Sequence, residues 1–325
     1  MVTYRVQNGD TLYTIAGRFG IHVEMLAMTN NLFWPYKIFE GQKLLVPITL
    51  SNENLNFRNN RSEHNLATIR KIFSQEGSTS GGVFKFTFPR FDLRIRIGDL
   101  IIEPDLALTS WAAFNQLGNH SMLMGDLVLL ENEVAPVMCS LLENGIEVTA
   151  LHNHLLYESP RIMFLHIKGE KAPIQLAQSI RKALSLTTTP LNAKTQYPPF
   201  QINWQAMEHI LGYKGSHKGN VLQLSVPRTS IISEGGHPLS PAMGISHALN
   251  FQSVGQNVAT TGDFVLFAHE VNPVVSILKR NNIAVTAIHN HMLIEVPRLF
   301  FMHFWAIDKP EHLAHTFRSV LDLAK

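Results

Sequence analysis

The chain has 325 residues, of which 45% are hydrophobic and 16% charged, and its formal net charge is +2. This length predicts two or three domains, and a charge so close to zero gives no clustered basic surface of the kind that nucleic-acid binding requires. No apolar run approaches the roughly 18 residues of a membrane span. The single cysteine, Cys139, excludes an internal disulfide framework.

The first 48 residues carry the pattern of a small domain made of a strand, two helices and a second strand. Polar and apolar residues first alternate, as in a half-buried strand, and apolar residues then recur at helical spacing from Leu12 to Phe19. Between them Asp10 can cap the helix, and Gly20 is placed to end it. The predicted elements are a strand over 3–7, helices over 12–19 and 23–29, and a strand over 43–46.

This segment, TYRVQNGDTLYTIAGRFGIHVEMLAMTNNLFWPYKIFEGQKLLVPI, resembles the LysM family along its whole length. Members of that family bind chains containing N-acetylglucosamine, in peptidoglycan or chitin, in a shallow groove between two loops. The resemblance therefore implies such a glycan as the partner of residues 1–48. The glycan-binding residues that it implies are Gly9, Asp10, Thr11, Leu12, Pro35, Tyr36 and Ile38. The alternative is that Asp10 and Thr11 only cap a helix and that Tyr36 only covers a small core.

A polar, asparagine-rich segment follows at 49–63 and predicts a linker. Beyond it the chain is internally duplicated. The segments that recur 137 residues later are Gly125-Asp126, Glu133-Val134, Pro136-Val137, Asn144 and Val148-Thr149-Ala150. We place the two copies at 64–187 and 202–325, joined by a second linker at 188–201. A period this long is typical of a duplicated domain rather than of a solenoid.

Each copy has the same predicted order of strand, helix, strand, strand and helix. The first helix is expected to begin near Pro136, or Pro273 in the second copy. It is expected to end at Asn144-Gly145 or Asn281-Asn282, since both pairs suit the left-handed C-cap. The last helix follows Pro173 or Pro310. Its buried face in the first copy is expected to be Leu176, Ala177, Ile180 and Leu184. This order predicts an α+β fold with largely antiparallel sheets, and two halves packed about a pseudo-twofold axis.

The most informative repeated string is HNHLLYESPRIMFLH, which is matched by HNHMLIEVPRLFFMH. On a strand His152 and His154 face the same side, and a turn at 158–160 would bring His166 opposite His152. Three imidazoles with Glu158 at the rim would form a ligand set for Zn²⁺ or another divalent metal. The candidate metal ligands in the two copies are His152, His154, His166, His289, His291 and His303, and the candidate catalytic groups are Glu158 and Glu295.

The alternative for this string is a structural cluster, in which the histidines hydrogen-bond to backbone or to each other. Glu158 and Arg161 would then form only an ion pair near the turn. Asp126 and Asp263 follow glycines and are expected to serve turns, while Glu133 and Glu270 precede helices and suit the helix dipole.

The repeated segments resemble the LppY/LpqO family, a domain of unknown function first noted in bacterial lipoproteins. The residues that carry the resemblance are GDLVLLENEVAPV and GIEVTALHNHLLYESPR in one copy and TGDFVLFAHEVNPV and NIAVTAIHNHMLIEVPRLFFMHFWA in the other. The resemblance covers about residues 64–325 and implies no established activity. The chain departs from the lipoprotein pattern because it carries no lipobox cysteine.

These patterns favour a non-catalytic protein that binds peptidoglycan or chitin in the bacterial cell wall or spore coat. The first alternative is a metal-dependent hydrolase acting on peptidoglycan, with His152, His154 and His166 as ligands and Glu158 or Glu295 as general base. The second is a sensor that binds a small ligand between the two copies. Met1 leads directly into a strand, so we expect cytoplasmic synthesis and export without a standard signal peptide.

Overall fold

The computed structural model describes residues 2–7, 10–19, 21, 23–30, 32, 36–47, 52–117, 120–191 and 202–324. Of residues 13, 17, 24, 25, 28 and 52–62 it describes the backbone alone. The chain forms two compact units, Met1–His64 and Asn65–Lys325. No helix in the described ranges is long and apolar enough to cross a membrane.

The first unit has the predicted order of elements, which are β1 (Val2–Arg5), α1 (Leu12–Arg18), α2 (Val23–Thr29) and β2 (Lys43–Val46). Strands β1 and β2 pair antiparallel. The helices cover this ribbon with a small apolar core that includes Leu12, Ile15, Leu26 and Leu44. A two-stranded ribbon is marginal by itself, so these helices supply the apolar burial that stabilises it.

The predicted capping role of Asp10 is wrong, because Thr11 caps α1 instead. The Thr14 backbone N–H donates to Thr11 Oγ1 at 3.1 Å. The Asp10 carboxylate instead accepts from Tyr4 Oη at 2.6 Å and from the Gln7 backbone N–H at 2.8 Å. Gly20, the expected end of the helix, lies outside the described residues.

A helix, α3 (Asn52–Phe73), leads into the second unit, so the predicted linker 49–63 is helical from Asn52 onward. The first repeat then forms a six-stranded antiparallel sheet in the order β3-β4-β7-β8-β11-β9. Its elements are β3 (Ser78–Ser80), β4 (Val83–Pro89), β5 (Arg96–Ile97), β6 (Leu100–Ile101), α4 (Pro104–Ala107), β7 (Thr109–Leu117), β8 (His120–Leu130), α5 (Glu131–Glu143), β9 (Glu147–His152), β10 (Glu158–Ser159), β11 (Ile162–Lys171) and α6 (Pro173–Leu184).

The second repeat forms a sheet with the equivalent strand order, β12-β13-β16-β17-β19-β18. Its elements are α7 (Trp204–Leu211), β12 (Ser216–Lys218), β13 (Val221–Pro227), β14 (Ser233–Glu234), β15 (His237–Pro238), β16 (Ser246–Val254), β17 (Asn257–Leu266), α8 (Ala268–Arg280), β18 (Ala284–His289), β19 (Phe300–Asp308) and α9 (Pro310–Leu323). Two like antiparallel sheets with helices confirm the predicted α+β class and the duplication.

Each sheet buries one face against its own helices and the other face against the opposite sheet. In the first repeat the helix-side core includes Phe73, Phe114 and Ile180, and in the second it includes Phe317. The cores between the sheets mix both repeats, as where Phe164 packs in one cluster with Val221 and Ala259. Burying one phenylalanine stabilises a fold by roughly 1.5–3 kcal/mol. Side chains such as Phe164 therefore stabilise the contact between the repeats as well as the fold of one repeat.

Reciprocal hydrogen bonds relate the two repeats by the predicted pseudo-twofold axis. Each bond has a counterpart in which donor and acceptor exchange repeats, as an isologous interface requires. The four bonds run from Thr149 Oγ1 to the His291 carbonyl (2.5 Å), from Thr286 Oγ1 to the His154 carbonyl (2.6 Å), from Asn153 Nδ2 to the Thr286 carbonyl (3.2 Å) and from Asn290 Nδ2 to the Thr149 carbonyl (2.9 Å).

The helices α5 and α8 begin five residues before the predicted prolines, at Glu131 and Ala268. They end as predicted, with Gly145 and Asn282 at φ of 66° and 57°. The early start follows from Glu133 and its equivalent Glu270, whose carboxylates accept the N–H of the residue before each helix. These carboxylates also pair with buried arginines, so the helix dipole alone does not explain them.

Candidate functional site

Six histidines from the two repeats form one cluster between the sheets, called here the histidine cluster, in which all are buried except the half-buried His154 and His289. Its members are His152, His154, His166, His289, His291 and His303. The ring centroids of His152 and His289, which end β9 and β18, lie 3.6 Å apart. Across the same interface the His154 ring lies 3.7 Å from that of His303, and His166 lies 3.8 Å from His291.

The structure corrects the predicted pairing within each repeat. His152 lies opposite Phe164 rather than His166, and His166 lies opposite Ala150. Because side chains alternate with a period of two, this two-residue shift keeps His152 and His166 on one face, with ring centroids 4.9 Å apart. The separate patch predicted for each repeat is therefore wrong, since His154 stacks near the other repeat's His303.

Two aspartates that the sequence assigned to turns lie beside the cluster instead. Asp126 and Asp263 occupy β8 and β17, opposite β11 and β19. The Asp263 Oδ2 atom lies 3.0 Å from His291 Nε2, and the Asp126 Oδ2 atom lies 3.8 Å from His154 Nε2. The signal that could have identified them is a charged residue at the same place in two otherwise apolar strands, GDLVLL and GDFVLF.

Glu158 and Glu295 do not have the rim position that the sequence predicted. Glu295 Oε1 accepts the Leu299 backbone N–H at 3.0 Å, and its Oε2 lies 3.2 Å from Arg298 Nη1. Burial raises the pKa of both glutamates. In the described part of the chain they make no hydrogen bond or ion pair with the cluster. Their catalytic role stays a prediction.

The histidines of the cluster are uncharged near neutral pH. Burial lowers the pKa of His154, His166 and His291 well below its ordinary value, and it lowers the pKa of His303 to about 4. Burial and the nearby Asp263 raise the pKa of Asp126 to about 8. The ring nitrogens therefore offer lone pairs rather than positive charge.

Several of these buried polar atoms have no hydrogen-bond partner. They are His152 Nδ1, Nε2 of His154, His166, His289 and His291, and Oδ1 of Asp126 and Asp263. A buried polar group without a partner costs about 1–3 kcal/mol, so a purely structural cluster would be expected to pair them. The only hydrogen bond recorded between histidine rings in the described residues joins His152 Nε2 and His303 Nε2 at 3.2 Å.

The geometry fits a divalent transition metal. His303 and His289 each donate Nδ1–H to a backbone carbonyl, of Gly262 at 2.7 Å and of Asn290 at 3.0 Å, so Nε2 carries the lone pair in both rings. There are three sets of three donor atoms, and within each set all the atoms lie within 4.8 Å of one another. Neutral imidazole and carboxylate are usual ligands of Zn²⁺. The sets are His152, His166 and His289; His152, His154 and His303; and Asp263, His289 and His291.

A cavity of about 430 Å³ opens onto the cluster and is lined by both repeats. Its floor includes four of the six histidines and both aspartates, and its volume lies in the range of about 300–1,000 Å³ that small-molecule sites have. One wall carries Lys85, whose Nζ lies 4.2 Å above the Trp111 ring. Burial lowers the pKa of Lys85 to about 8.

The predicted glycan-binding residues of the first unit differ in exposure. Thr11 is exposed, whereas Tyr36 and Ile38 are half-buried and pack on the small core. Leu12 is only 1% exposed, so its side chain belongs to the core and only its backbone can meet a ligand. Gly9 and Pro35 lie outside the described residues.

Fold and site together define a class of protein, a small βααβ unit followed by two α+β repeats that share one histidine cluster. The chain belongs to the family described as Domain of Unknown Function (DUF1259), which matches twice, over residues 67–186 and 205–323. The LysM domain matches residues 4–47. The predicted LysM domain followed by a duplicated domain of unknown function is therefore confirmed. The LysM domain supports binding to glycans that contain N-acetylglucosamine.

The other comparisons give little further information. No curated protein matches the chain. Among solved structures, the crystal structure of EtuB from Clostridium kluyveri aligns at 8% identity over 76% of this chain and 88% of that chain, with a TM-score of 0.19. That TM-score is too low to indicate a shared fold.

Proposed function

We propose that the protein binds peptidoglycan or chitin in the bacterial cell wall or spore coat through its LysM unit. The observation that carries this proposal is the LysM match over residues 4–47, together with a βααβ unit formed by the described residues. Exposed Thr11 and half-buried Tyr36 offer a hydroxyl and an aromatic face, which suit the polar groups and C–H faces of a neutral sugar.

A binding assay on insoluble peptidoglycan and chitin tests this proposal. The full chain should be retained on one of them and displaced by soluble N-acetylglucosamine oligomers. Tyr36→Ala should weaken retention about tenfold, which corresponds to about 1.4 kcal/mol. Tyr213→Ala, which removes a 38% exposed tyrosine from the second unit, should leave retention unchanged. A full chain that ignores every such oligomer would contradict the proposal.

We further propose that the second unit binds a divalent transition metal, best matched by Zn²⁺, at the histidine cluster. The observation that supports it is the set of buried imidazole nitrogens without partners. Metal binding would satisfy them, and neutral imidazole needs no deprotonation to bind. Thermal unfolding tests this, because a ligand at 100 times its Kd stabilises the folded state by about 2.7 kcal/mol. Zn²⁺ should raise the Tm of chelator-treated protein, and an unchanged Tm with no metal retained would contradict it.

The cavity favours a second candidate function, a metal-dependent hydrolase acting on peptidoglycan. A bound Zn²⁺ would supply a Lewis acid and a more acidic bound water. Asp126 and Asp263 line the cavity next to the histidines and could hold a proton there. Release of soluble fragments from peptidoglycan by the metal-loaded full chain tests this function. Asp263→Asn should abolish release, and Glu158→Gln should not. Release that depends on Glu158 would instead support the general base that the sequence predicted.

A further inference from the structure

The donor atoms of the histidine cluster divide into two sets that share no residue. One set is His152, His154 and His303, and the other is Asp263, His289 and His291. Within each set all donor atoms lie within 4.8 Å of one another, so each can meet at a single ion. His152 of the first set stacks on His289 of the second, with ring centroids 3.6 Å apart. The two possible ion positions therefore lie side by side.

We propose that the second unit holds two divalent metal ions side by side, and that both repeats supply the ligands. This inference rests on the proposed metal binding and adds the number of ions and the division of their ligands. Each ion takes the His-x-His pair of one repeat, joined at the first ion by His303 and at the second by Asp263. The first ion is held by His152, His154 and His303, and the second by Asp263, His289 and His291, with the His166 ring 3.8 Å from that of His291.

The duplication supports this division independently of the distances. Moving each ligand of the first set by the 137-residue period, forward or back, gives His289, His291 and His166. Ring contacts follow the same symmetry, since His154 approaches His303 at 3.7 Å and His166 approaches His291 at 3.8 Å. The pseudo-twofold axis therefore places the histidine equivalents of the first set on the other side of the cluster, where Asp263 completes a set with His289 and His291.

The number of available donors also exceeds what one ion can use. Seven buried atoms of the cluster and its two aspartates lack a partner, whereas zinc is almost always four-coordinate. One ion on the central set of His152, His166 and His289 would leave the Nε2 atoms of His154 and His291 unsatisfied. Carboxyl oxygens lie beside both sets as well, with Asp126 Oδ2 3.8 Å from His154 Nε2 and Asp263 Oδ2 3.0 Å from His291 Nε2.

Metal content of the full chain tests the inference. Chelator-treated protein is loaded with Zn²⁺, freed of excess ion and measured by mass spectrometry, and two ions per chain are expected. His154→Ala should lower the content from two to one, His291→Ala should do the same, and the double variant should retain none. His315→Ala removes an exposed histidine of α9 and should retain two. Circular dichroism of each variant checks that it is folded.

A measurement on the unaltered chain keeps the test decisive if a variant does not fold. Loaded with Mn²⁺, the protein should give an electron paramagnetic resonance spectrum of two coupled ions, because about 3.5–4 Å separates the metals of paired sites. One ion per chain, or two uncoupled ions, would overturn the two-ion inference and leave the proposed metal binding intact. No retained metal would overturn the metal binding itself.

Discussion

The two repeats are alike at the histidine cluster and differ on the cavity walls beside it. The Gly-Asp pair, the His-x-His pair, the buried arginine–glutamate pair and the cis proline recur in both. On the walls, the position of Lys85 is occupied by Gln223 in the second repeat, and that of Trp111 by Ala248. Both repeats therefore keep the same donors but present different chemistry to a ligand.

This difference separates what the shared site requires from what it leaves free to change. The six histidines follow the pseudo-twofold axis, because histidines of both repeats meet in one cluster. The residues of the cavity walls do not follow this symmetry. Gln223 donates to the Asp105 carbonyl at 2.6 Å, whereas Lys85, at the equivalent position, lies over an aromatic ring. The cavity lining thus places Lys85 of the first repeat where the second repeat has Gln223.

Removing either buried arginine is expected to have the largest effect. Arg90 pairs with Glu133 at 2.7 and 3.0 Å, and Arg228 pairs with Glu270 at 2.8 and 3.0 Å. Alanine at either position leaves a buried carboxylate unpaired, which should lower the free energy of unfolding by about 3–5 kcal/mol. Urea denaturation of chelator-treated protein measures this loss.

The control for this prediction is Arg94→Ala, since Arg94 is exposed and should change stability by no more than about 0.5 kcal/mol. Similar losses from the two arginines would confirm that the repeats depend on the pair equally. If the variant of one repeat loses less than about 1 kcal/mol of unfolding free energy, that repeat does not depend on its buried pair, because breaking such a pair should cost more.

A pH dependence should distinguish the repeats at one buried position. The Val265 N–H donates to His247 Nδ1 at 3.1 Å, where the equivalent Val128 N–H donates to Ser110 Oγ at 2.8 Å. Burial lowers the pKa of His247 to about 4, below the value of about 6.5 in the unfolded chain. The unfolded state therefore binds more protons between these values, and the stability contributed by neutral His247 is lost as the pH falls from 6.5 towards 4.

His247→Ser copies the first repeat and should remove this part of the acid sensitivity. Between pH 7 and pH 4 the free energy of unfolding of the unaltered chain should fall by about 3 kcal/mol more than that of the variant. Urea titrations at several pH values, with metal removed, give both curves. Parallel curves would show that His247 does not titrate in this range.

The smallest expected effect comes from alanine at the glycines that precede the aspartates. A β-carbon at Gly125 would lie 2.7 Å from the Trp111 carbonyl oxygen, and one at Gly262 would overlap the Ala248 carbonyl oxygen more closely. Overpacking of this kind costs about 1–3 kcal/mol, so both variants should lower the Tm, and Gly262→Ala by more. Equal Tm values for the two variants would contradict this order.

Much of the fold could be predicted from local pattern. The LysM order, the antiparallel α+β repeats and the buried face of α6 follow from periodicity, turn residues and the duplication. The starts of α5 and α8 could not, because a buried arginine distant in sequence sets the position of each N-terminal glutamate. The sequence did not predict the strands β7 and β16. Each is held by strands on both sides, β7 by β4 and β8 and β16 by β13 and β17, and this pairing is not visible in local sequence.

The candidate site could be predicted only by residue type. All six histidines were identified, but their grouping was wrong, because sequence spacing describes neighbours within one repeat and two of the three donor sets join histidines of both repeats. Asp126 was assigned to a turn, since a glycine–aspartate pair is common there. Its place opposite His166 on β11 depends on strand register that the sequence does not contain.

A histidine centre drawn from both repeats has a consequence for the ancestry of the fold. A single ancestral copy could have completed such a centre only by associating with an identical copy as a C2 homodimer, in which both walls were necessarily the same. Joining two copies in one polypeptide removed that constraint. Lys85 and Gln223 could then diverge within a centre whose ligands stayed equivalent.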